Sequence, residues 1–343
     1  MSFVKMVEVW RGPLVESEHL GVAAVANAAG EIIEGWGDTT MQTYPRSALK
    51  PIQAIALVET GAYEARGLTS RHLALACASH RGEPFHTELV TAWLADLGLT
   101  QNALACGPEQ PADAAAVATA ILQGHPTQRI YHNCSGKHCG FLTVARHRGW
   151  PVEGYDRLDH PAQQLYLDAL SELTGRDARA LPFGIDGCAL PAAALSVAAM
   201  AVTMARFAAA RVASPARRAA IFAIHDAMRQ HPEYVSGTAQ PGVQLAHVTR
   251  GRIIMKTGAE GFLMAYVPEQ GLGIALKIAD GEARARVPAL IALLSAVGLL
   301  DVAEQRELAR LAEPPVLNSA GATVGRICAC GFENASPRVQ AAV

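Results

Sequence analysis

Residues 44–53 read YPRSALKPIQ, with Ser47 three positions before Lys50 and a proline on either side, Pro45 and Pro51. The chain has 29 basic residues, and only five are lysine: Lys5, Lys50, Lys137, Lys256 and Lys277. Arginine meets the need for permanent charge, so a lysine is informative where chemistry requires an amine able to lose its proton. On a helix, residues three apart share a face, and the Ser47 hydroxyl can meet the Lys50 amine. Near a helix N-terminus the dipole favours negative charge on the serine oxygen. The spacing predicts a helix from about Ser47 to Thr60 that starts late, because Pro51 has no N–H for the Ser47 carbonyl. A serine attacks only when a base takes its proton, and lysine can be that base if its pKa falls from about 10.4 toward about 7–8. Burial and a second cation, Arg46 or Lys256, would supply the shift. SxxK arises about once by chance in a chain of this length, so its meaning depends on what accompanies it.

The composition bounds the setting. The 343 residues are half hydrophobic and 17% charged, with a formal net charge of −2. That describes a folded globular protein with a large core, and it leaves no electrostatic footprint for nucleic acid or anionic lipid. The N-terminal stretch MSFVKMVEVWRGPLVE has no sustained apolar run of the secretory kind. With seven cysteines, this leads to the expectation of reduced thiols in a cytoplasm. Residues 187–205 are uncharged, but alanine dominates, Pro191 interrupts and Arg206 closes the run; it reads as a buried core helix and not a membrane span.

Along the chain, residues 3–11 and 20–36 read as strands, the second region folding into a hairpin at Asn27–Gly30. From 84 to 230 apolar residues recur at spacings of three and four, the mark of helices, and the alanine-rich run from Pro191 is counted among them. Strand patterns return in RGRIIMKTG, GFLMAYVPE and LGIALKIAD, followed by a helix over about 281–298. Consecutive strands with such short connections are antiparallel neighbours. The order implies an α+β fold: an antiparallel sheet lobe from about 1–46 and 245–343, and a mostly helical lobe from about 47–244, within one domain. No strand–GxGxxG–helix unit or Walker-type loop points to a nucleotide.

Three further motifs carry chemistry. Lys256-Thr257-Gly258-Ala259 ends the strand RIIMK. The run H-N-C-S-G-K-H-C-G at 132–140 offers Cys134, His138 and Cys139 as possible metal ligands at a spacing that matches no zinc finger. Phe183–Cys188 is a loop leading into the apolar helix, and Cys328 and Cys330 form a separate pair that could bind metal but reads first as structural. SxxK with KTG resembles the serine β-lactamase and penicillin-binding superfamily, where the two motifs sit across one cleft. That resemblance implies an oxyanion hole from the N–H groups of Ser47 and Ala259, and Tyr131-His132-Asn133 matches a YxN triplet of some β-lactamases.

Five blocks in order are more specific: PRSALKP at 45–51, CASH at 77–80, HNCSGKH at 132–138, GIDGC at 184–188 and KTGAEG at 256–261. Together they resemble the class three, rhizobial-type L-asparaginases over nearly the whole chain. The resemblance implies hydrolysis of L-asparagine to L-aspartate and ammonia on a β-lactamase-like fold, as a homodimer. It implies two catalytic Ser–Lys pairs, Ser47 with Lys50 and Ser79 with Lys256, and a zinc ion on Cys134, Lys137 and Cys188. Arg46, His138, Asp186 and Ala259 fall on positions that would line the substrate pocket. A lysine ligand must be neutral; from its ordinary pKa to pH 7 that costs about 4.6 kcal/mol, small against structural zinc affinities of roughly 10–16 kcal/mol. Two thiolates neutralise the ion, so the expected role is to position substrate and not to generate hydroxide. Two other readings of the same residues are a β-lactam-directed serine hydrolase or peptidase using Ser47, Lys50, Lys256 and Tyr131, and a zinc-thiolate protein without catalysis.

Overall fold

Alternating apolar residues build the first strands. In the computed structural model, which describes residues 2–333, β1 (Val4–Arg11) leads through Gly12 into the long β2 (Leu14–Asn27). β3 (Ile32–Trp36) folds back on the second half of β2 through a turn at the expected place, where the Asn27 side-chain oxygen accepts the Ala29 and Glu31 amides. The three patterned runs near the C-terminal end become β4 (Ile254–Thr257), β5 (Phe262–Val267) and β6 (Leu272–Ile278). Two more strands, β7 (Pro315–Leu317) and β8 (Thr323–Ala329), complete an antiparallel sheet in the order β7-β8-β1-β2-β6-β5-β4, with β3 on β2. β8 carries almost no alternation, since Ile327 is its one buried residue, and no sequence pattern marks it.

β6 is buried along nearly its whole length because both faces are covered. Leu272, Ile274, Leu276 and Ile278 join Leu290, Leu293 and Leu294 of the helix Ala283–Ala296 in one core. On the other face Gly273 meets the helix Val197–Ala208, whose Phe207 ring stands edge-on to Tyr266 of β5 at 5.3 Å.

Contacts divide the chain into two units. The sheet unit holds the described residues up to Ala48, Leu195–Ala209 and Gln244 onward; the helical unit holds Leu49–Ala194 and Ala210–Val243. Leu195–Ala209, assigned to the helical lobe by its sequence pattern, thus clusters with the sheet. The alanine-rich run is also not helical from Pro191. Pro191–Ala193 pairs with Phe183–Ile185 as a small hairpin, and the helix starts at Val197 because the Ser196 hydroxyl caps it by accepting the Ala199 amide at 3.1 Å. The helical unit is built on Pro84–Asp96, Ser135–Arg148, Pro161–Thr174 and Pro215–Gln230. In its core Trp93 Nε1 donates to Thr143 Oγ1 at 2.9 Å, and Arg217 bridges Glu59 and Glu172. Among the described residues no helix is long and apolar enough to cross a membrane.

The expected helix from about Ser47 to Thr60 is not one helix. Arg46–Leu49 forms a 3₁₀ turn, and two short helices follow, Lys50–Gln53 and Ile55–Glu59. Pro51 withholds a donor from this first turn.

A Cβ at Gly273 would lie 2.2 Å from both Ala201 O and Ala205 N, backbone atoms that cannot rotate away. Gly273→Ala is expected to cost roughly 3 kcal/mol, whereas Gly107→Ala, whose added methyl meets nothing within 4 Å, should change stability far less. Urea denaturation midpoints of the two variants test the difference.

Candidate active site

The helical unit gathers most of the motif residues. Lys50, with 0% of its surface exposed, donates from Nζ to Ala78 O, to Ser79 Oγ at 3.1 Å and to Asn133 O at 3.5 Å. Two backbone carbonyls and one hydroxyl therefore make up its surroundings. An ammonium satisfies all three with its hydrogens. A neutral amine gives two hydrogens to the carbonyls and turns its lone pair to the serine. The geometry thus brings Lys50 to Ser79. The Ser79 amide is anchored on Val235 O at 2.9 Å.

The loop after Ser79 is clamped to the start of the helix Ser135–Arg148 by His80. Gly82 N donates to His80 Nδ1 at 3.1 Å, so the ring proton belongs on Nε2, which donates to Ser135 Oγ at 2.8 Å; that hydroxyl donates to Ile130 O at 3.1 Å. His80 N also bonds to Asn133 O, the carbonyl that receives Lys50. Burial holds His80 neutral, well below the ordinary histidine value. His80 has no role in the sequence reading and Asn133 enters it only as the last residue of the YxN triplet; position beside Ser79 and Cys134, inside the quoted blocks, is the further signal they carry.

Cys134, Lys137 and Cys188 also meet. Lys137 Nζ donates to Cys188 Sγ at 2.9 Å, and all three residues are buried. A hydrogen bond from Cys188 holds the Cys134 thiol well below its usual pKa, with help from Lys137 and Lys50 against burial. Cys188 is pushed up by sharing its proton with Cys134 and by burial. Burial acts against the Lys137 charge, but the two sulfurs and Asp186 outweigh it and raise the amine. The Cys134 sulfur lies 3.1 Å from the Asn133 side-chain amide, whose carbonyl accepts from a thiol and whose NH₂ would serve a thiolate. Two buried sulfurs, one already poised to ionise, fit the donor preferences of zinc, and the Lys137 amine adds a third donor only on giving up the proton that its surroundings hold. Among the described residues no three of His, Cys, Asp and Glu gather to hold a metal, so the set exists only when the lysine is counted.

Asp186 and Cys188 ride on the tip between Phe183–Ile185 and Pro191–Ala193, where Ala189 takes φ +72° and Asp186 Oδ1 accepts the Gly187 amide at 2.7 Å. His138 is fully buried, with Nδ1 2.5 Å from the Tyr155 hydroxyl. Cys139 is buried in the same helix with its thiol raised by burial, and Tyr131 is buried with its hydroxyl accepting from Gln128. Cys328 and Cys330 belong to the other unit, on and just after β8.

In the sheet unit, Ser47 is half-buried and follows Arg46, whose φ of +49° is a strained backbone state for a side-chain-bearing residue. Arg46 Nη1 is 3.9 Å from Glu260 Oε1. Lys256 is 3% exposed and its Nζ donates to Thr257 O at 2.9 Å. Ala259 stands partly exposed in the turn between β4 and β5.

A neighbouring pair gives this region a pH dependence. His86 stacks on His80 at 5.0 Å and donates from Nε2 to Glu233 O at 3.0 Å, and among the described residues its buried Nδ1 meets no partner. Burial lowers its pKa from 6.5 to about 4. Its contribution to stability is complete above pH 6.5 and is lost as pH falls toward 4, because the unfolded chain takes up the proton first. The loss amounts to about 3 kcal/mol. Denaturation midpoints between pH 7 and 4 should fall steeply in the wild type and less steeply in His86→Gln.

The family model of L-asparaginase II matches residues 7–329. Among solved structures the chain is similar to a β-lactamase from Mycobacterium bovis, at 18% identity over 85% of this chain and 95% of that one, with a TM-score of 0.36. A class C β-lactamase from Rhodobacter sphaeroides is 17% identical over 79% and 92%, with a TM-score of 0.39. A D-alanine carboxypeptidase from Burkholderia cenocepacia is 12% identical over 85% and 92%, at 0.37. No protein with a curated description matches. Because the family match runs through all five sequence blocks, from within β1 to the end of β8, the chain belongs to the L-asparaginase II family.

Proposed function

We propose that this member of the L-asparaginase II family hydrolyses the side-chain amide of L-asparagine to L-aspartate and ammonia through an ester on serine. The observation that carries the reading is the Lys50 amine, sealed from water between two carbonyls and 3.1 Å from a serine hydroxyl. In that enclosure a neutral amine would have its lone pair turned to the hydroxyl, the arrangement a general base requires.

In this reading Ser47 attacks the amide carbon while its proton passes to Lys50, and Ser79 and Lys256 complete the relay. The N–H groups of Ser47 and Ala259 hold the oxygen that becomes negative. The C–N bond breaks, the nitrogen leaves as ammonia with a proton returned from the relay, and a β-aspartyl ester remains on Ser47. Water, deprotonated by a lysine, cleaves that ester and restores the hydroxyl. Arg46 and Asp186 would supply charges for the amino-acid end of the substrate, and His138 would brace the helix that bears Lys137. Cys134 and Cys188, as thiolates, and Lys137, as a neutral amine, would hold zinc, which when bound would supply a fixed positive centre for orienting the substrate. We further propose a homodimer in the cytoplasm; light scattering of the purified protein tests the dimer.

Coupled detection of ammonia is expected to show turnover of L-asparagine, with glutamine and a chromogenic β-lactam as comparisons; faster β-lactam turnover would reverse the assignment. Ser47→Ala should lower kcat by at least about 10³-fold with an unchanged denaturation midpoint. The contact between Lys50 and Ser79 favours a second reading in which Ser79 attacks, and a Ser47→Ala variant keeping a tenth of wild-type turnover would select it. Removing metal with a chelator is expected to raise KM or lower kcat, and loss of neither would take zinc out of the reaction.

A further inference from the structure

Arg286 stands in the first turn of the helix Ala283–Ala296, in the same unit as Ser47 and the Lys256–Ala259 segment. Its Nη1 donates to Gly258 O at 2.8 Å, and its Nε donates to Ala283 O within its own helix at 3.4 Å. Among the described residues no carboxylate pairs with it, and burial lowers the guanidinium from its ordinary value with no anion to offset the effect. Drawing a cation partly out of water without a counter-charge costs stability. A backbone carbonyl is a modest return for that cost, unless holding that carbonyl serves another purpose.

Peptide geometry supplies one. The Gly258 carbonyl and the Ala259 N–H belong to a single planar trans unit and point in opposite directions. Fixing the oxygen fixes the aim of the N–H. A charge-assisted bond to the oxygen also draws electron density from the nitrogen and makes its hydrogen a stronger donor. The rest of the turn is locked as well: Gly258 N donates to Phe262 O at 2.9 Å and Phe262 N to Ala259 O at 3.0 Å. A Cβ on Gly258 would lie 2.5 Å from Pro45 O, and that same carbonyl accepts the Ala48 amide at 3.0 Å to close the turn bearing Ser47. Among the described residues the Ala259 N–H meets no acceptor, and Ala259 is partly exposed.

We propose that Arg286 is a positioning residue for the oxyanion site, holding and polarising the Gly258–Ala259 peptide so that the Ala259 N–H is aimed at the substrate oxygen as it becomes negative. It touches no reacting atom and acts through the peptide. The proposal rests on the acyl-enzyme reading above. Stabilisation of this kind grows in the transition state and is small for the neutral amide, so it belongs in kcat and not in KM.

Arg286→Leu, Arg286→Ala and Arg286→Lys are to be compared with the wild type on L-asparagine and on p-nitrophenyl acetate, whose hydrolysis also passes through a tetrahedral oxyanion. The expected result is a kcat about 10–100-fold lower for Arg286→Leu with KM within about twofold, and a smaller loss for Arg286→Lys, which keeps the charge without the fork. Millimolar guanidinium chloride should restore part of the kcat of Arg286→Ala without moving its denaturation midpoint, which a merely structural role would not do. If Arg286→Leu does not fold, Arg286→Lys decides, by a kcat loss of at least about threefold at constant KM. Unchanged kcat, or a loss that follows the denaturation midpoint and resists guanidinium, overturns the proposal while the wild type remains active. A wild type that turns over neither substrate overturns the acyl-enzyme reading and this inference with it. Turnover of the ester alone removes asparagine as the substrate and leaves the ester kinetics to decide on Arg286.

Discussion

The environment of the Lys50 amine is the constraint around which the helical unit is arranged. A lysine with none of its surface exposed is tolerable only if every hydrogen finds an acceptor, and here the acceptors are Ala78 O, Asn133 O and Ser79 Oγ. Each requires an element to be in place. Ala78 and Ser79 follow the helix Ser70–Ala76, and Asn133 precedes the helix Ser135–Arg148. His80 ties the two together through Gly82, Ser135 and Asn133. Satisfying one buried amine nitrogen therefore fixes the approach of two helix ends, and the same approach delivers Cys134 and Lys137 to Cys188.

That second cluster shows a balance of opposing effects. Burial alone would drive the Lys137 proton off and keep both thiols protonated, since each charged form loses hydration. Held together, the groups reverse part of that: one sulfur yields its proton, the other keeps its own, and the amine stays cationic. The cluster is thus electrically self-compensating by itself, and replacing the lysine proton and the remaining thiol proton with one divalent cation would preserve that compensation.

Much of this could be read from the chain, and the parts that could not share a cause. The blocks around Ser47, Ser79, Cys134, Cys188 and Lys256 identified the family because each packs several chemistry-bearing residues into a few positions. The sheet was legible where alternation or continuous burial marked the strands, as in β2 and β6. It was illegible in β8, which has one buried residue and so no pattern to show. The start of the helix Val197–Ala208 is misplaced in the sequence because alanine favours helix, whereas Pro191–Ala193 is held as a strand by its pairing with Phe183–Ile185 and the deciding group, the Ser196 hydroxyl, is a single cap. The break after Gln53 and the meeting of Lys50 with Ser79 depend on tertiary packing. Arg286 bonds a carbonyl 28 positions away and belongs to no motif, so nothing in its sequence neighbourhood distinguishes it from an ordinary helix arginine.

Two of the three groups around the Lys50 nitrogen are main-chain oxygens, at positions 78 and 133. Exchanging the side chains there leaves those acceptors in being. A scan of point variants would accordingly pass over the scaffold of this amine almost unnoticed, whereas inserting or deleting a single residue between 76 and 80, or between 131 and 135, would shift an oxygen out of reach. Segment length, more than amino-acid identity, is the quantity under constraint at those two joints.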